Sequence, residues 1–360
     1  MSEIPGAPRR GRLWLAVAGV ATLALGISIA ITVNPADDPS ATPPSAVPPA
    51  TTAPNSAAPP ATKKTGWLSG VNGFPRLDTA SVTEFCAARG RPCDVAQTYT
   101  DRTTYDSMTR GSGWVFEYFA DFDGLLVISQ ALVPDKGENL MAACAAGDYD
   151  QHWRDFGALM VANGRGDSIV RLGWEMNEGS MAWRGLDTAA YIACYRSAAT
   201  AIRAANPQVV LDWTINAHNT PADLCGGLST NCYPGDEYVD IIGIDNYDHH
   251  PWSPTKADFD RTADAPEGLN WLYEFARTHG KEFSVGEWGV MPTGDAGRDN
   301  PDFIRWMHAW FTEHAEHLVY EAYFQRCDGT FSQSAILRPN DPECLPNTGS
   351  SDVYKELFSR

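Results

Sequence analysis

Eight short runs rich in β-branched and aromatic residues punctuate the chain: Trp67–Val71, Val95–Tyr99, Leu125–Ala131, Ser168–Trp174, Val209–Thr214, Val239–Tyr247, Glu282–Trp288 and Leu318–Phe324. Their length and composition predict strands. Between them lie segments with apolar residues at helical spacing, among them Asp150–Asn163, Thr188–Ala205, Pro266–His279 and Pro301–His317, several closed by Asn, Gly or His. Strand and helix alternating eight times predict a (β/α)8 barrel. A doubly wound sheet fits the same alternation, but it normally carries a Gly-rich phosphate loop after its first strand. Here that strand runs into Asn72-Gly-Phe-Pro75, which is no such loop.

The N-terminal pattern is different. Leu13 to Val33 is an uncharged, mostly apolar stretch preceded by Arg9, Arg10 and Arg12. At about 1.5 Å per residue it is long enough to cross a bilayer. The basic flank predicts a cytoplasmic N-terminus. A cleavable signal peptide is the rival reading, although its apolar core is usually only about 7–15 residues. From Pro35 to Lys64 the chain is largely Pro, Ala, Thr and Ser, too poor in large apolar residues to offset its chain entropy, so an extended tether is expected. The organisation that follows is residues 1–34 as basic start and anchor, 35–64 as linker, and 65–360 as one catalytic-size domain facing outward. The alternative is secretion after signal cleavage.

Charge narrows the partners. With 27 basic against 45 acidic side chains the formal charge is −18, so a polyanion such as nucleic acid is repelled. All eight cysteines lie beyond the tether, an even count that suggests disulfides in an exported domain, with Cys86–Cys93, Cys225–Cys232 and Cys327–Cys344 as short-loop candidates and Cys144–Cys194 left over. Buried free thiols are the alternative. No Cys-x-x-Cys or compact Cys/His cluster points to a metal.

Two glutamates carry the candidate chemistry. Glu175 stands in Arg171-Leu-Gly-Trp-Glu-Met-Asn177 and Glu287 in Phe283-Ser-Val-Gly-Glu-Trp-Gly289, each just past a β-like run. In a barrel the chemistry sits at the C-terminal strand ends, and the pattern puts Glu175 at the end of the fourth strand and Glu287 at the end of the seventh. A pair of carboxyls so held is the minimum equipment for cleaving a glycosidic bond. Strand alternation places Arg171, Gly173 and Glu175 on one face, and Phe283, Val285 and Glu287 on another. An inward Arg171 needs an anionic partner, as a structural ion pair or as support for a catalytic carboxylate. Asp245 shares a face with Tyr247 and is placed to line the floor. For a direct catalytic role Asp245, Asp212 and Glu178 are alike weaker candidates, since a lone acid near a strand end is more often a cap or ion-pair partner.

Sugars stack on aromatics, which makes Trp174, Trp183, Trp252 and Trp288 platform candidates at or just beyond strand ends. Trp114, Trp271 and Trp306 sit in helical patterns and read as core. His249-His250 invites a metal, but metal-dependent barrel hydrolases usually also place a His pair after strand one, where this chain has Asn72-Gly73. His218 and Asn216 follow the fifth strand and are placed to line the cleft.

These motifs resemble a known family. Arg171-x-x-Trp-Glu-Met-Asn-Glu-Gly179 is similar to the Arg-x-x-His-Glu-x-Asn-Gly signature of glycoside hydrolase family 26, and Met181-Ala-Trp183 resembles the aromatic element after it. Tyr233 to Tyr247 resembles that family's sixth-strand approach, and Ser284-Val-Gly-Glu-Trp-Gly289 its nucleophile strand. The resemblance spans about Gly70 to Phe324, most strongly from Asp150. It implies a retaining endo-glycosidase without cofactor or metal, with Glu175 as acid and base, Glu287 as nucleophile, Tyr247 holding the nucleophile and Arg171 assisting from below. Asn177, Trp174, Trp183, Asp245, Trp252 and Trp288 are then the supporting or substrate-binding candidates.

The chain departs from the signature at Trp174, which stands where the family has His, and at Glu178, which intrudes before Gly179. That His normally contacts the sugar beside the scissile bond, so the departure bears on substrate rather than mechanism. The implied substrate is a β-linked polysaccharide, mannan first, with β-glucan, xylan or an envelope glycan as variants, acted on by a monomer. A carbohydrate-binding pseudoenzyme is the alternative, and a purely structural envelope protein a third, which would bury its candidate platform tryptophans in the core.

Overall fold

The computed structural model describes residues 66–73, 77–218, 220–249, 251–291, 299–327, 334–337, 344 and 347–359. The anchor and linker segments, and His250, lie outside the described residues. Among the described residues no helix is long and apolar enough to cross a membrane.

Eight parallel strands close into a barrel in sequence order. They are β1 Leu68–Asn72, β2 Val95–Tyr99, β3 Leu125–Gln130, β4 Ile169–Leu172, β5 Val210–Asn216, β6 Ile241–Asp248, β7 Glu282–Val290 and β8 Leu318–Phe324. β1 pairs with β8 from Leu68↔Tyr320 to Asn72↔Phe324, which completes the ring. All eight predicted strands are present in the predicted order.

Helices α1 Thr79–Arg89, α2 Tyr105–Met108, α3 Gly113–Tyr118, α4 Leu140–Ala145, α5 Asp150–Ala162, α6 Thr188–Ala205, α7 Lys256–Asp264, α8 Leu269–Thr278, α9 Pro301–Glu313 and α10 Thr348–Phe358 surround it. Their ends follow side-chain chemistry. Asp78 and Asp187 accept the N–H of Ser81 and Ala190 as N-caps, Asn300 caps α9 with Pro301 at its first position, and Gly90 closes α1 at φ 88°.

Two apolar cores result. The larger lies between barrel and helices. The smaller plugs the barrel floor with Val95, Val127, Ile169, Val210, Ile241, Val319 and Tyr320. Above that plug the interior turns polar. Asp212 accepts hydrogen bonds from Thr214 (2.8 Å), Ser284 (2.6 Å) and Tyr320 (2.9 Å). The barrel is therefore a filled cylinder with a polar layer just beneath its C-terminal mouth.

Two departures from regular strands decide what reaches that mouth. β4 ends at Leu172, and Glu175 lies three residues beyond in a turn with positive φ at Gly173 (57°) and at Glu175 itself (51°), so simple alternation does not carry it. In β7, Gly243↔Ser284 is followed by Asp245↔Glu287, which inserts one extra residue into β7. The bulge reverses parity. Ser284 reaches Asp212 in the interior, whereas Phe283 packs on Trp310 of α9 and Tyr273 of α8. The expected common face of Phe283, Val285 and Glu287 is thus broken.

All eight cysteines pair, as Cys86–Cys93, Cys144–Cys194, Cys225–Cys232 and Cys327–Cys344. Cys144–Cys194 spans 50 residues and ties α4 to α6, whereas Cys86–Cys93 spans 7. Chain-entropy arithmetic gives about 4 kcal/mol for the long loop and about 2.4 kcal/mol for the short one. Replacing both cysteines of each pair by Ala should therefore cost more at Cys144/Cys194 than at Cys86/Cys93, read as the difference in guanidinium unfolding free energy.

Candidate active site

The site is built on one buried cation. Arg171, on β4 and fully buried, donates through Nη1 to Glu287 Oε1 at 2.8 Å and through Nη2 to Asp245 Oδ2 on β6. Its Nη1 also reaches Ser129 Oγ (3.0 Å) and its Nε reaches Thr214 Oγ1 (3.3 Å). A guanidinium in this setting has its donors committed and its charge matched by carboxylates. Gly286, beside Glu287, makes room for it, since a Cβ there would lie 2.7 Å from Arg171 Nε.

Glu287 is held from three directions. Besides Arg171, Tyr99 at the end of β2 donates to Oε1 at 2.7 Å, and Tyr247 on β6 donates to Oε2 at 2.8 Å. Asn72, at the end of β1, in turn donates to Tyr99 Oη at 2.8 Å. Tyr99 and Asn72 were missed in the sequence. The signal existed, because each is the last residue of its strand and Tyr99 falls on the same face as Val95 and Gln97.

Glu175 is buried beside them. Oxygens of Glu175, Asp245 and Glu287 lie within 4.8 Å of one another. Burial, and then the charge of Glu287, push the Glu175 carboxyl up to about 8, against the lowering pull of Arg171. Asp245 is likewise raised well above the usual carboxylate range, first by burial, with Arg171 opposing and Glu287 and Glu175 adding to the rise. Such a trio of acid oxygens has the spacing of a cation site, but the charge a cation would bring is already supplied by Arg171.

The turn carrying Glu175 is braced from behind. Glu175 N–H donates to Thr214 O and Gly173 N–H to Gln130 O, so the turn continues the pairing with neighbouring strands. Asn177 donates to Asn216 O (2.8 Å) and Thr220 Oγ1 (3.1 Å) and accepts from Asn216 N (2.9 Å). Its side chain is committed to joining two loops, so it positions the turn rather than binding sugar. Thr220 is fixed by Glu267, whose buried carboxylate accepts from Thr220 N, Thr220 Oγ1 and Ser229 N. Cys225–Cys232 presses on Gly185, where a Cβ would come within 2.4 Å of Cys225 Sγ.

The tryptophan expectations divide. Trp174 is 3 % exposed and lies beside Tyr99, with ring centroids 5.6 Å apart. Trp183 is fully buried behind it, at 4.6 Å, and donates to Trp174 O, so it has no face for a sugar. Trp288 is corrected outright. The β7 bulge turns it into the helix layer against Phe311, Tyr323 and Phe358, where its Nε1 donates to Glu321. Trp252 is 41 % exposed in the loop after β6. Trp114, Trp271 and Trp306 pack partly buried against the main core.

The weaker acids take structural roles. Asp212 is saturated beneath Arg171, and Glu178 accepts from Ser180 N (2.8 Å) and from its hydroxyl as a loop cap. Asn216 ends β5 in the Asn177 pair. His218 contacts Pro266 O, and His249 lies edge-on to Tyr247 at 5.8 Å.

A closed parallel barrel with two buried glutamates facing one another at its mouth is the architecture of a glycoside hydrolase, and the chain is one. The glycosyl hydrolase family 26 model matches residues 169–277, which includes Arg171, Glu175, Asp245 and Tyr247, so the identification with that family holds over this segment. Among solved structures, the chain resembles a modular endo-β-1,4-mannanase from Cellulomonas fimi (18 % identity, 80 % of this chain and 74 % of that one, TM-score 0.54). It also resembles the catalytic domain of the family 26 endo-β-1,4-mannanase of Bacillus sp. JAMB-750 (16 % identity, 81 % and 86 %, TM-score 0.56). An engineered protein aligns at 16 % identity over 81 % of this chain and 70 % of its own, with TM-score 0.59. At these identities the likeness is one of fold. No curated protein sequence matches the chain.

The raised Glu175 carboxyl has a stability consequence. Its folded value of about 8 exceeds the ordinary 4.5, so the folded state favours its protonated form; that contribution is whole at acid pH and is lost as pH rises through about 8. Glu175→Gln should therefore match the wild type near pH 4 and have the higher Tm above pH 8, the gap opening between those limits in a pH series of thermal melts.

Proposed function

We propose that this chain is a retaining endo-glycosidase that cleaves a β-linked polysaccharide, mannan first, on the outer side of a membrane. The observation that carries the mechanism is the approach of the Glu175 and Glu287 oxygens to within 4.8 Å. Retaining enzymes hold their carboxyls about 5–5.5 Å apart, whereas inverting enzymes leave about 6.5–9.5 Å for a water.

Glu287 is the nucleophile. Among the described residues its Oε1 accepts from both Tyr99 and Arg171 while Oε2 accepts from Tyr247 alone, which leaves Oε2 the freer lone pair for attack on the anomeric carbon. As the glycosidic bond breaks, Glu175 gives its proton to the departing oxygen, and a covalent glycosyl–Glu287 ester remains. Glu175, now a carboxylate, takes a proton from water, whose oxygen attacks the anomeric carbon and releases Glu287. Two inversions give net retention. A carboxyl pushed up to about 8 carries its proton at neutral pH, which suits the first step. Asp245 shares the Arg171 charge with Glu287, and Trp174 and Trp252 are the aromatic candidates for sugar contact.

Mannan is favoured by the two mannanases that share the fold, with Trp174 in place of the family's His as the feature that would move specificity. Four disulfides suit an oxidising compartment. With Leu13 to Val33 as anchor and residues 35–64 as tether, the barrel would act on glycans beyond the membrane.

The test is reducing-end release by the full chain from β-mannan, β-glucan, xylan and envelope glycans. Hydrolysis of one of them, with the β-anomer first in the product by proton NMR, is expected, and Glu287→Ala should abolish it. Inverted product would overturn the double displacement, and binding without release would favour a pseudoenzyme. On the substrate that is cleaved, Glu175→Gln should lower kcat by about 10²–10⁴-fold and remove the basic limb of the pH profile near 8. Tyr99→Phe should lower kcat about 10–100-fold with KM nearly unchanged, the worth of one hydrogen bond to a charged group.

A further inference from the structure

On the flank of the barrel, away from Glu175 and Glu287, helices α7, α8 and α9 enclose a groove of about 320 Å³. That volume is at the lower end of ligand pockets, about 300–1,000 Å³, and suits a short stretch of a longer molecule. Phe259 and Trp310 form its buried floor, with His314 stacked on Trp310 at 4.1 Å, and Trp306 and Tyr273 stand partly buried as walls. Phe259 and Trp306 lie 5.7 Å apart at 46°, and Tyr273 meets Trp310 edge-on at 5.8 Å. Partly buried indole and phenol rings lining a concavity leave the uncovered part of their apolar surface to a ligand.

The rim is acidic. Asp260, Glu274 and Glu313 border the groove, and Lys256 is its one lining Lys or Arg among the described residues. Lys256 pairs with Asp260, while the side chains of Glu274 and Glu313 make no hydrogen bond or ion pair among the described residues. This balance disfavours an anionic ligand. An ammonium ligand held by an aromatic cage is the other candidate chemistry, but Lys256 Nζ already sits over the Phe259 ring at 5.5 Å, so the chain provides its own cation there. What remains is an indole face beside carboxylate acceptors, which matches a neutral sugar: C–H face on the ring, hydroxyls to the acids.

We propose that this groove is a second carbohydrate-binding site, holding a neutral polysaccharide chain on the barrel flank while another part of the chain enters the active site. It rests on the glycosidase reading for the identity of the polymer and for the entry of its other part into the active site, and its binding test is made without turnover.

The full chain carrying Glu287→Ala is run in native gels cast with soluble β-1,4-mannan, mixed-linkage β-glucan or xylan. At least one polymer should retard it, and adding Trp306→Ala should raise the apparent dissociation constant about 2–10-fold, the worth of one aromatic stack. Trp306→Phe should recover most of the binding. In the Glu287 background, Trp306→Ala should leave hydrolysis of a short oligosaccharide of the same polymer unchanged and slow that of the polymer. Retardation by none of the three polymers, or retardation indifferent to Trp306→Ala with the circular dichroism intact, overturns the site. Quenching of tryptophan fluorescence by tetramethylammonium, lost in Trp306→Ala, overturns it in favour of a cation. Trp306-dependent retardation with no hydrolysis by the Glu287 protein supports the groove and sinks the glycosidase reading instead.

Discussion

One buried guanidinium organises the mouth of this barrel. Arg171 has no exposure to water, and its donors go to carboxylates on β6 and β7 and to hydroxyls on β3 and β5. Removing either carboxylate would leave charge uncompensated in a low-dielectric interior, where breaking a buried pair costs about 3–5 kcal/mol. The polar layer below, with Asp212 saturated by Thr214, Ser284 and Tyr320, allows such a cation to exist under an active site. Two acids, Asp245 and Glu287, pair with it, and the burial of Glu175 beside them, followed by the charge of Glu287, pushes that carboxyl up to about 8.

The positions of the two glutamates are each obtained by breaking strand regularity. Glu175 needs a left-handed turn after β4, and that turn is held by strand-like hydrogen bonds to Gln130 and Thr214, by Asn177, and by a loop pinned through Glu267 and the Cys225–Cys232 disulfide. Glu287 needs the β7 bulge, with Gly286 giving way to Arg171. Non-Gly residues at positive φ and bulges cost local stability, and they persist where surrounding contacts over-determine them. Around Glu175 those contacts are the Asn177 pair and the loop braces behind it, and around Glu287 they are Arg171, Tyr99 and Tyr247.

The departure at Trp174 takes a physical form in this setting. The indole lies against Tyr99, which itself donates to Glu287, and is backed by Trp183. An imidazole at that place would carry a hydrogen-bonding nitrogen, whereas this nearly buried indole supplies packing against the phenol of Tyr99. The indole thus stands between Tyr99 and Trp183 at the edge of the carboxyl site.

Much was legible in the chain itself because it depends on local pattern. Eight β-like runs separated by helical segments implied the barrel, short Cys spacings implied the disulfides, and strand-end placement drew attention to Glu175, Glu287, Arg171, Asp245 and Tyr247. What alternation alone could not carry was decided by tertiary structure. A single inserted residue in β7 sends Trp288 into the helix layer and Glu287 to the axis, since side-chain direction on a strand has period two and one slip inverts it. The role of Tyr99 needed β2 and β7, 188 residues apart in sequence, brought to one mouth. Sequence by itself determined which elements form and which residues stand near their ends; only the closed barrel, by bringing eight strand ends around one buried charge, decided which of those residues meet.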